Sequence, residues 1–271
     1  MKKVVLAALV LSIASCTEAE KPEPTQEKEA IGSSVIVHEE YTGVEPTKPE
    51  ETEFYEPKVP VVTPSVNGSV PSDAIVLFDG SSLKGWIRSK DSTAANWHLN
   101  GDGSMTVKDK TGNIQTKQHF GDVQLHIEWS SPAAVERDGQ NRANSGVYLN
   151  GMYEVQVLDN NDNPTYVNGQ VGSIYKQHTP LAMASVPSGE WNAYDIIYRS
   201  PEFNEAGEKI KSGTMTVMHN GILIQDHVEI KGNTPYTGWP KNPAHGKGPL
   251  MLQDHQDNSR VSYRNIWVRE L

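Results

Sequence analysis

The stretch Tyr153-Glu154-Val155-Gln156-Val157-Leu158-Asp159 alternates apolar and polar residues with a period of two. In an extended chain Glu154 and Gln156 then project from one face of a sheet, and Tyr153, Val155 and Val157 from the other. A bulge after Gln156 would turn Asp159 onto the polar face too, since bulges re-aim side chains beside active sites. Taken alone, the segment reads equally well as a solvated outer face. A second segment shifts the balance. Pro249-Leu250-Met251-Leu252-Gln253-Asp254-His255 is apolar until it ends in three side chains that accept or exchange protons, with Gln253 and His255 on a common face. Arg264-Asn265 interrupts an apolar run between Tyr263 and Ile266, where a covered guanidinium must find an acceptor. Asn144-Ser145-Gly146 opens another run. A histidine at a strand end is more often structural than catalytic, yet carboxylates, amides, His and Arg recur at comparable positions here. Such a face suits a polyhydroxylated ligand.

The elements that must position these groups are strands. Val123, Leu125, Ile127 and Trp129 alternate with Gln124, His126 and Glu128, the pattern of a strand with one buried face. Met215–Met218 and Ile222–Gln225 flank His219-Asn220-Gly221, where Asn-Gly supplies the positive φ angles of a tight hairpin. Further strands are predicted at Ser104–Val107, Gly146–Asn150, Asn192–Tyr198, Leu250–Gln253 and Ser262–Val268. No segment sustains a helical period. Many short strands separated by Gly, Asn and Asp predict an all-β domain of two antiparallel sheets packed face to face. All six Trp lie beyond residue 85, so one core over roughly 200 residues is expected, and a single domain, residues 73–271.

What precedes that domain differs in kind. Met1-Lys2-Lys3, an apolar run from Val4 to Ile13, and Leu11-Ser12-Ile13-Ala14-Ser15-Cys16 read as a signal peptide over residues 1–15, too short to span a bilayer. Its last six positions resemble a bacterial lipobox, which implies lipidation of Cys16. Thr17 follows, not the Asp that resembles a retention signal, so the outer membrane is the expected destination. The chain has one Cys, so acylation leaves none for disulfides, thiolate ligands or a nucleophile. Residues 16–72 hold twelve Glu against four Lys, with eight Pro, a net −8 within the chain's −10. That composition predicts an extended, disordered tether. An acidic chain without clustered cations also excludes nucleic acid as a partner. There is no internal repeat, no Gly-rich phosphate loop and no Gly-x-Ser-x-Gly elbow.

Several motifs occur in order: Leu77-Phe78-Asp79-Gly80-Ser81-Ser82-Leu83-Lys84-Gly85-Trp86, Asn144-Ser145-Gly146, Tyr153–Asp159, Ile174-Tyr175, Glu190-Trp191-Asn192, Asn220-Gly221, Leu252-Gln253-Asp254-His255 and Arg264-Asn265-Ile266. Together they resemble the 3-keto-disaccharide hydrolase domain family across nearly all of residues 75–271. The resemblance implies a concanavalin-like jelly-roll sandwich, often on secreted or lipid-anchored bacterial proteins. It also implies action on glycosides whose carbon 3 has been oxidised to a ketone, so a separate glycoside 3-oxidoreductase is the implied pathway partner.

A ketone at carbon 3 acidifies the hydrogen on carbon 2. A base can remove it, the enolate expels the aglycone from carbon 1, and water adds across the double bond. The route needs a base, an acid near the leaving oxygen, and donors at the developing enolate. His255 suits the base or a proton shuttle, and Glu154 or Asp159 the acid or an alternative base. Gln156, Gln253, Arg264 and Lys176 are candidates for binding hydroxyls or the enolate oxygen, with Asn144, Tyr175 and Asp254 further substrate contacts. An enolate and its neighbouring hydroxyl could also chelate a divalent metal, although no His-Glu-x-x-His pair or calcium-loop spacing occurs. The remaining His residues, 98, 119, 126, 178, 219, 227 and 245, are scattered and read as structural or surface groups.

Two other readings use the same residues. Glu154-x-Gln156-x-x-Asp159 resembles, with altered residues, the Glu-x-Asp-x-x-Glu strand of laminarinase-like glycosidases, which set two carboxylates across the bond they cut. Gln156 cannot act as a carboxylate, and Asp159 reaches less far than a Glu. A non-catalytic carbohydrate-binding module is the other, because fold alone does not separate binding from turnover.

Overall fold

The computed structural model of this protein describes residues 45–271 except 67 and 135. The signal-like segment, Cys16 and the first part of the Pro-rich stretch lie outside the described residues. The described part of that stretch holds one 3-10 turn, Pro49–Thr52, and no strand.

From Ile75 onward the chain forms fifteen strands: β1 (Ile75–Phe78), β2 (Trp86–Arg88), β3 (His98–Leu99), β4 (Met105–Thr106), β5 (Ile114–Phe120), β6 (Val123–Ser130), β7 (Ser145–Leu149), β8 (Tyr153–Val157), β9 (Asn192–Arg199), β10 (Glu202–Phe203), β11 (Lys209–Lys211), β12 (Thr214–His219), β13 (Ile222–Glu229), β14 (Gly248–Leu252) and β15 (Ser262–Glu270). No α-helix occurs among the described residues. An eight-stranded antiparallel sheet runs β13-β12-β9-β6-β15-β4-β3, with β1 also paired to β15. A five-stranded sheet runs β2-β5-β14-β7-β8, and β10 and β11 form a separate ribbon. The fold is the expected all-β sandwich.

Period-two patterning explains which side of each strand is covered. On β6, Val123, Leu125, Ile127 and Trp129 are buried, and their neighbours on β9, Tyr194, Ile196 and Tyr198, are buried with them. From the five-stranded sheet, Tyr153, Val155, Leu250 and Leu252 close the same core. Tyr153 lies with its ring centroid 6.0 Å from that of Tyr198, and the Tyr194 hydroxyl donates to Gln156 O at 2.7 Å, so the two layers are joined by aromatic contact and by a hydrogen bond. Each such large apolar side chain contributes about 1.5–3 kcal/mol by leaving water. The β12–β13 hairpin turns on Asn220 and Gly221, at φ 50 and 78. That is the turn the Asn-Gly pair predicts.

The longest strand that the sequence analysis does not expect is β5. β5 reads Ile-Gln-Thr-Lys-Gln-His-Phe, with Lys117, Gln118 and His119 exposed in succession, so its inward residues Ile114, Thr116 and Phe120 are too few to mark a period. β5 is nonetheless central, held between β2 and β14.

β15 carries a register shift between Arg264 and Trp267 on β6, with Asn265 at φ 47. Tyr263 before the shift and Ile266 within it are buried, while Arg264 and Asn265 both reach Glu128 on the other face of the large sheet. Arg264 Nε donates to Glu128 Oε2 at 2.6 Å, Asn265 Nδ2 to Oε1 at 2.8 Å, and the guanidinium stacks 4.1 Å over Trp191. His126 Nδ1 meets Asp195 Oδ1 at 2.7 Å, its Nε2 lies 3.7 Å from Glu128 Oε1, and its ring stacks on Trp267. Burial by itself would lower the His126 pKa, but its two carboxylate partners raise it to about 9. His126, first among several donors, holds Glu128 down at about 2 against its own burial.

The stability consequence has a definite sign. With the folded imidazole pKa above the ordinary 6.5, the contribution of His126 is full below pH ~6.5 and disappears as pH rises through about 9. Between pH 6 and 10 the wild type should lose on the order of 2 kcal/mol more in denaturant unfolding than His126→Gln, allowing for solvent screening. Equal alkaline losses in the two proteins would remove His126 as the cause.

Candidate active site

β7, β8 and β14 are neighbours in the five-stranded sheet, so their outward residues share a surface. On β8 Tyr153, Val155 and Val157 turn to the core, which leaves Glu154 and Gln156 pointing away from it. The same alternation on β7 sends Gly146 and Tyr148 outward, opposite Gln156 and Glu154 in the pairing register. Beyond the last residue of β14, Gln253 stays in line because its N–H donates to Gly146 O at 3.1 Å, and Ser145 Oγ donates to Gln253 O at 2.6 Å. The Tyr263 hydroxyl donates in turn to Ser145 Oγ at 2.7 Å, tying this edge to the large sheet.

These side chains line one cleft that opens to solvent: Asn144, Tyr148, Glu154, Gln156, Tyr175, Thr234, Tyr236, Gln253 and His255. A few convergent polar groups beside phenol rings suit a sugar ring. Two segments distant in sequence thus meet in one place. Residues 172–175 run along the free edge of β8, where Gln156 N–H donates to Ser173 O at 3.0 Å and Tyr175 N–H to Glu154 O at 3.2 Å, which brings Tyr175 into the wall. Thr234 Oγ1 accepts from Glu154 N–H at 3.1 Å and brings the loop after β13 over the other side.

Glu154 is the only carboxylate among the residues lining this cleft. It is 3% exposed, and burial pushes its pKa up to about 8, against an opposing hydrogen bond from Tyr148. At neutral pH the group is a carboxylic acid with a proton to give. The Tyr148 phenol, itself raised well above its ordinary value by burial and by the Glu154 charge, accepts from Gln253 Nε2 at 3.1 Å. Gln253 Oε1 is enclosed without a protein partner. Gln156 Nε2 donates to Asn144 Oδ1 at 2.9 Å, so this amide positions Asn144 from below. His255 Nδ1 lies 2.8 Å from Asp257 Oδ2. A carboxylate there accepts from Nδ1–H and leaves the lone pair on Nε2, the form of a base.

Gly146 has a spatial reason for being glycine. A methyl group at its α-carbon would fall on Glu154 Oε1 and within 2.7 Å of Tyr148 Cε2. Gly146→Ala should therefore displace the acid, cost about 1–3 kcal/mol through overpacking, and reduce turnover more than substrate affinity. Unchanged kcat in a folded variant would show that the carboxyl position is not critical.

The outlying sequence candidates are distributed as follows. β7 and β8 pair without a register shift from Ser145↔Val157 to Leu149↔Tyr153, so the bulge that would have recruited Asp159 is absent. Leu158 enters the core, and Asp159 turns to a separate cleft with Arg142, Glu136 and Arg260. Its carboxylate accepts from Arg142 Nε at 3.2 Å, Ser188 Oγ at 2.6 Å and Asn161 N–H at 3.1 Å. Asp254 is likewise committed, accepting from Gly112 N–H and Gln256 N–H at 2.9 Å each, which closes the end of β14. Arg264 lies on the far face of the other sheet, engaged with Glu128. Lys176 borders an adjoining cavity that shares Tyr175. Among the described residues no three His, Cys, Asp or Glu side chains gather as a metal-ligand group.

A family model described as the 3-keto-alpha-glucoside-1,2-lyase-like domain matches residues 73–269. The chain belongs to this family. A search of curated proteins found none that matches. Among solved structures, a protein from Parabacteroides distasonis ATCC 8503 described as a "putative glycosyl hydrolase" is 52% identical, covering 84% of this chain and 99% of its own, with a TM-score of 0.80. A second protein from that organism with the same description is 20% identical, covers 73% of this chain and 94% of its own, and has a TM-score of 0.54, a likeness of fold. Family and relatives support a carbohydrate-processing activity for the lyase-like domain.

Tyr148, Thr234 and Tyr236 line the cleft and Asp257 contacts its His255, but none of the four stands out in the sequence. Tyr148 was within reach, because alternation from Gly146 places it on the polar face. Thr234 and Tyr236 sit in a loop with no period, and Asp257 follows the strand in a turn, so neither position carried a signal.

Proposed function

We propose that this domain cleaves 3-keto-glycosides by elimination, with His255 as base and Glu154 as acid. His255 takes the hydrogen from carbon 2, and its electron pair passes through the carbon 3 enolate. Reformation of the ketone creates the carbon 1–carbon 2 double bond and breaks the carbon 1–oxygen bond. The departing oxygen takes the proton of Glu154. Water then adds across the double bond, giving the free 3-keto sugar. Gln253 Nε2, which has a second N–H beside the one it gives Tyr148, is the amide donor available to the substrate oxygens.

The observation that carries this reading is a buried carboxyl group, its pKa raised by burial, and a carboxylate-oriented imidazole lining one cleft. A direct glycosidase needs two carboxyl groups flanking the bond. Glu154 stands alone in that respect here, with Asp159 in the separate cleft. The family's description, a 3-keto-alpha-glucoside-1,2-lyase-like domain, supports the reading, and that of the solved relative supports a carbohydrate substrate.

The test is aglycone release from a panel of 3-oxidised glucosides and their unoxidised parents, with and without a chelator. Release from the oxidised set alone is expected. Release from the parents would instead establish a glycosidase, and binding without turnover a carbohydrate-binding module.

The lipobox-like segment extends the proposal to location: Cys16 carries a lipid anchor that holds the domain at the outer membrane, downstream of a glycoside 3-oxidoreductase. Among the described residues no helix is long and apolar enough to cross a membrane. Replacing Cys16 by Ala should release the protein from the membrane fraction.

A further inference from the structure

Next to the cleft lies a second, solvent-open cavity of about 250 Å³, lined by Asn168, Tyr175, Lys176, Pro235, Gly238, Trp239 and Pro240. It adjoins the first: Tyr175 lines both, and Tyr236, of the cleft wall, lies in the same short loop as Pro235 and Trp239. Trp239 is 88% exposed and Tyr236 81%, unusual for large aromatic side chains in a domain that buries Trp86 and Trp129 almost completely. Nothing in the core calls for them there.

The loop that carries them is held in place. Lys176 Nζ donates to Tyr236 O at 2.5 Å and stands 4.7 Å from the Tyr236 ring centroid, 5.2 Å from that of Tyr175 and 5.9 Å from that of Tyr166. The Tyr166 and Tyr175 hydroxyls are 2.7 Å apart. Asn233 and Lys241 close the base of the loop with two hydrogen bonds, Asn233 N–H to Lys241 O at 2.9 Å and Lys241 N–H to Asn233 Oδ1 at 2.7 Å. An ammonium among three phenol rings is a cation–π cluster that fixes two loops against each other.

We infer that this cavity is the leaving-group subsite, in which Trp239 stacks on a six-membered ring carrying edge hydroxyls while Asn168 and Lys176 contact those hydroxyls. The inference rests on the elimination reading above for its reaction, but not for its binding chemistry. The walls are flat and apolar, with Trp239, Tyr175, Pro235 and Pro240, and the polar groups are few and peripheral. A ring with apolar faces and a polar rim matches that layout, whereas a short alkyl aglycone would leave Trp239 in water. A second hexose presents both parts of this chemistry, whereas a phenyl ring, bonded through its only oxygen, presents the stacking face alone. Lys176 is here a positioning residue for the loop as well as a contact.

The experiment compares the full-length protein with Trp239→Ala and Trp239→Phe on three 3-keto-glucosides, whose leaving groups are methanol, phenol and glucose. The readout is the ratio of kcat/KM for each ring-bearing substrate to that for the methyl substrate. The ratio should fall about tenfold in Trp239→Ala, carried by KM, and recover most of that loss in Trp239→Phe. Whether the phenyl or the glucosyl ratio falls further tells which ring the subsite prefers. Ratios that stay within twofold for both would overturn the subsite. In parallel, intrinsic fluorescence is titrated with unoxidised phenyl glucoside and cellobiose. Saturable quenching in the wild type that is lost in Trp239→Ala supports the subsite even if no ketone substrate is turned over, an outcome that would sink the elimination reading alone. Absence of quenching by either ligand, or a change in oligomeric state on substituting Trp239, would assign the aromatic edge to another contact and overturn the inference.

Discussion

Glu154→Gln is expected to abolish most turnover while making the fold more stable at neutral and alkaline pH. The two effects share one cause. Burial places the Glu154 pKa at about 8, whereas an unfolded Glu titrates near its ordinary 4.5. Between those values the folded chain keeps a proton that the unfolded chain has released, so stability is full below pH ~4.5 and falls as pH rises through about 8. From pH 4.5 to 7 the loss is ~3 kcal/mol. A glutamine does not ionise, so its stability advantage over the wild type should grow by that order across the same interval, measured by denaturant unfolding. Turnover should drop by about 10²–10⁴, the range for a removed general acid. In the wild type, kcat should decline above about pH 8 as the acid ionises. A variant that keeps its turnover would move the acid elsewhere, and one with an unchanged stability profile would mean that Glu154 is already ionised in the folded protein.

A buried carboxyl group that weakens the fold breaks an apolar strand pattern, and for that reason the site is partly legible in the sequence. Glu154 and Gln156 interrupt an apolar strand, and Gln253 and His255 end another. Period-two alternation gives the face of each residue directly, and because β8, β7 and β14 are adjacent, the two faces coincide. Alternation says nothing about which layer a strand joins, and Arg264 shows the consequence. Its strand belongs to the eight-stranded sheet, and alternation from buried Tyr263 turns it outward beside its register partner Glu128, away from the cleft. Asp159 shows a different limit. A single residue of continuation decides whether a side chain faces a site or leaves it, and Leu158 settles the matter by entering the core. The loop residues Thr234, Tyr236 and Asp257 are positioned by hydrogen bonds across long sequence separations, such as Glu154 N–H to Thr234 Oγ1, which no local pattern encodes.

His255 and Asp257 form the other half of the chemistry, and their coupling predicts how two substitutions combine. His255→Ala removes the base and should lower kcat by about 10²–10⁴ with little change in KM. Asp257 touches no substrate atom in this account and acts through the imidazole, 2.8 Å away. In Asp257→Asn the side-chain amide can donate to Nδ1, which would place the ring proton on Nε2 and leave no lone pair to take the carbon 2 hydrogen. The expected loss is at least tenfold in kcat, with the rising limb of the pH–rate profile displaced. A purely structural role for Asp257 would lower the amount of folded enzyme but leave that limb where it was. The double variant discriminates further. If Asp257 works only by orienting His255, then once His255 is Ala the second substitution has nothing left to disturb, and the paired loss should be no greater than that of His255→Ala by itself. Losses that multiply instead would mean that the two residues contribute to separate steps, and proton removal from carbon 2 would then need a different base from the one assigned here.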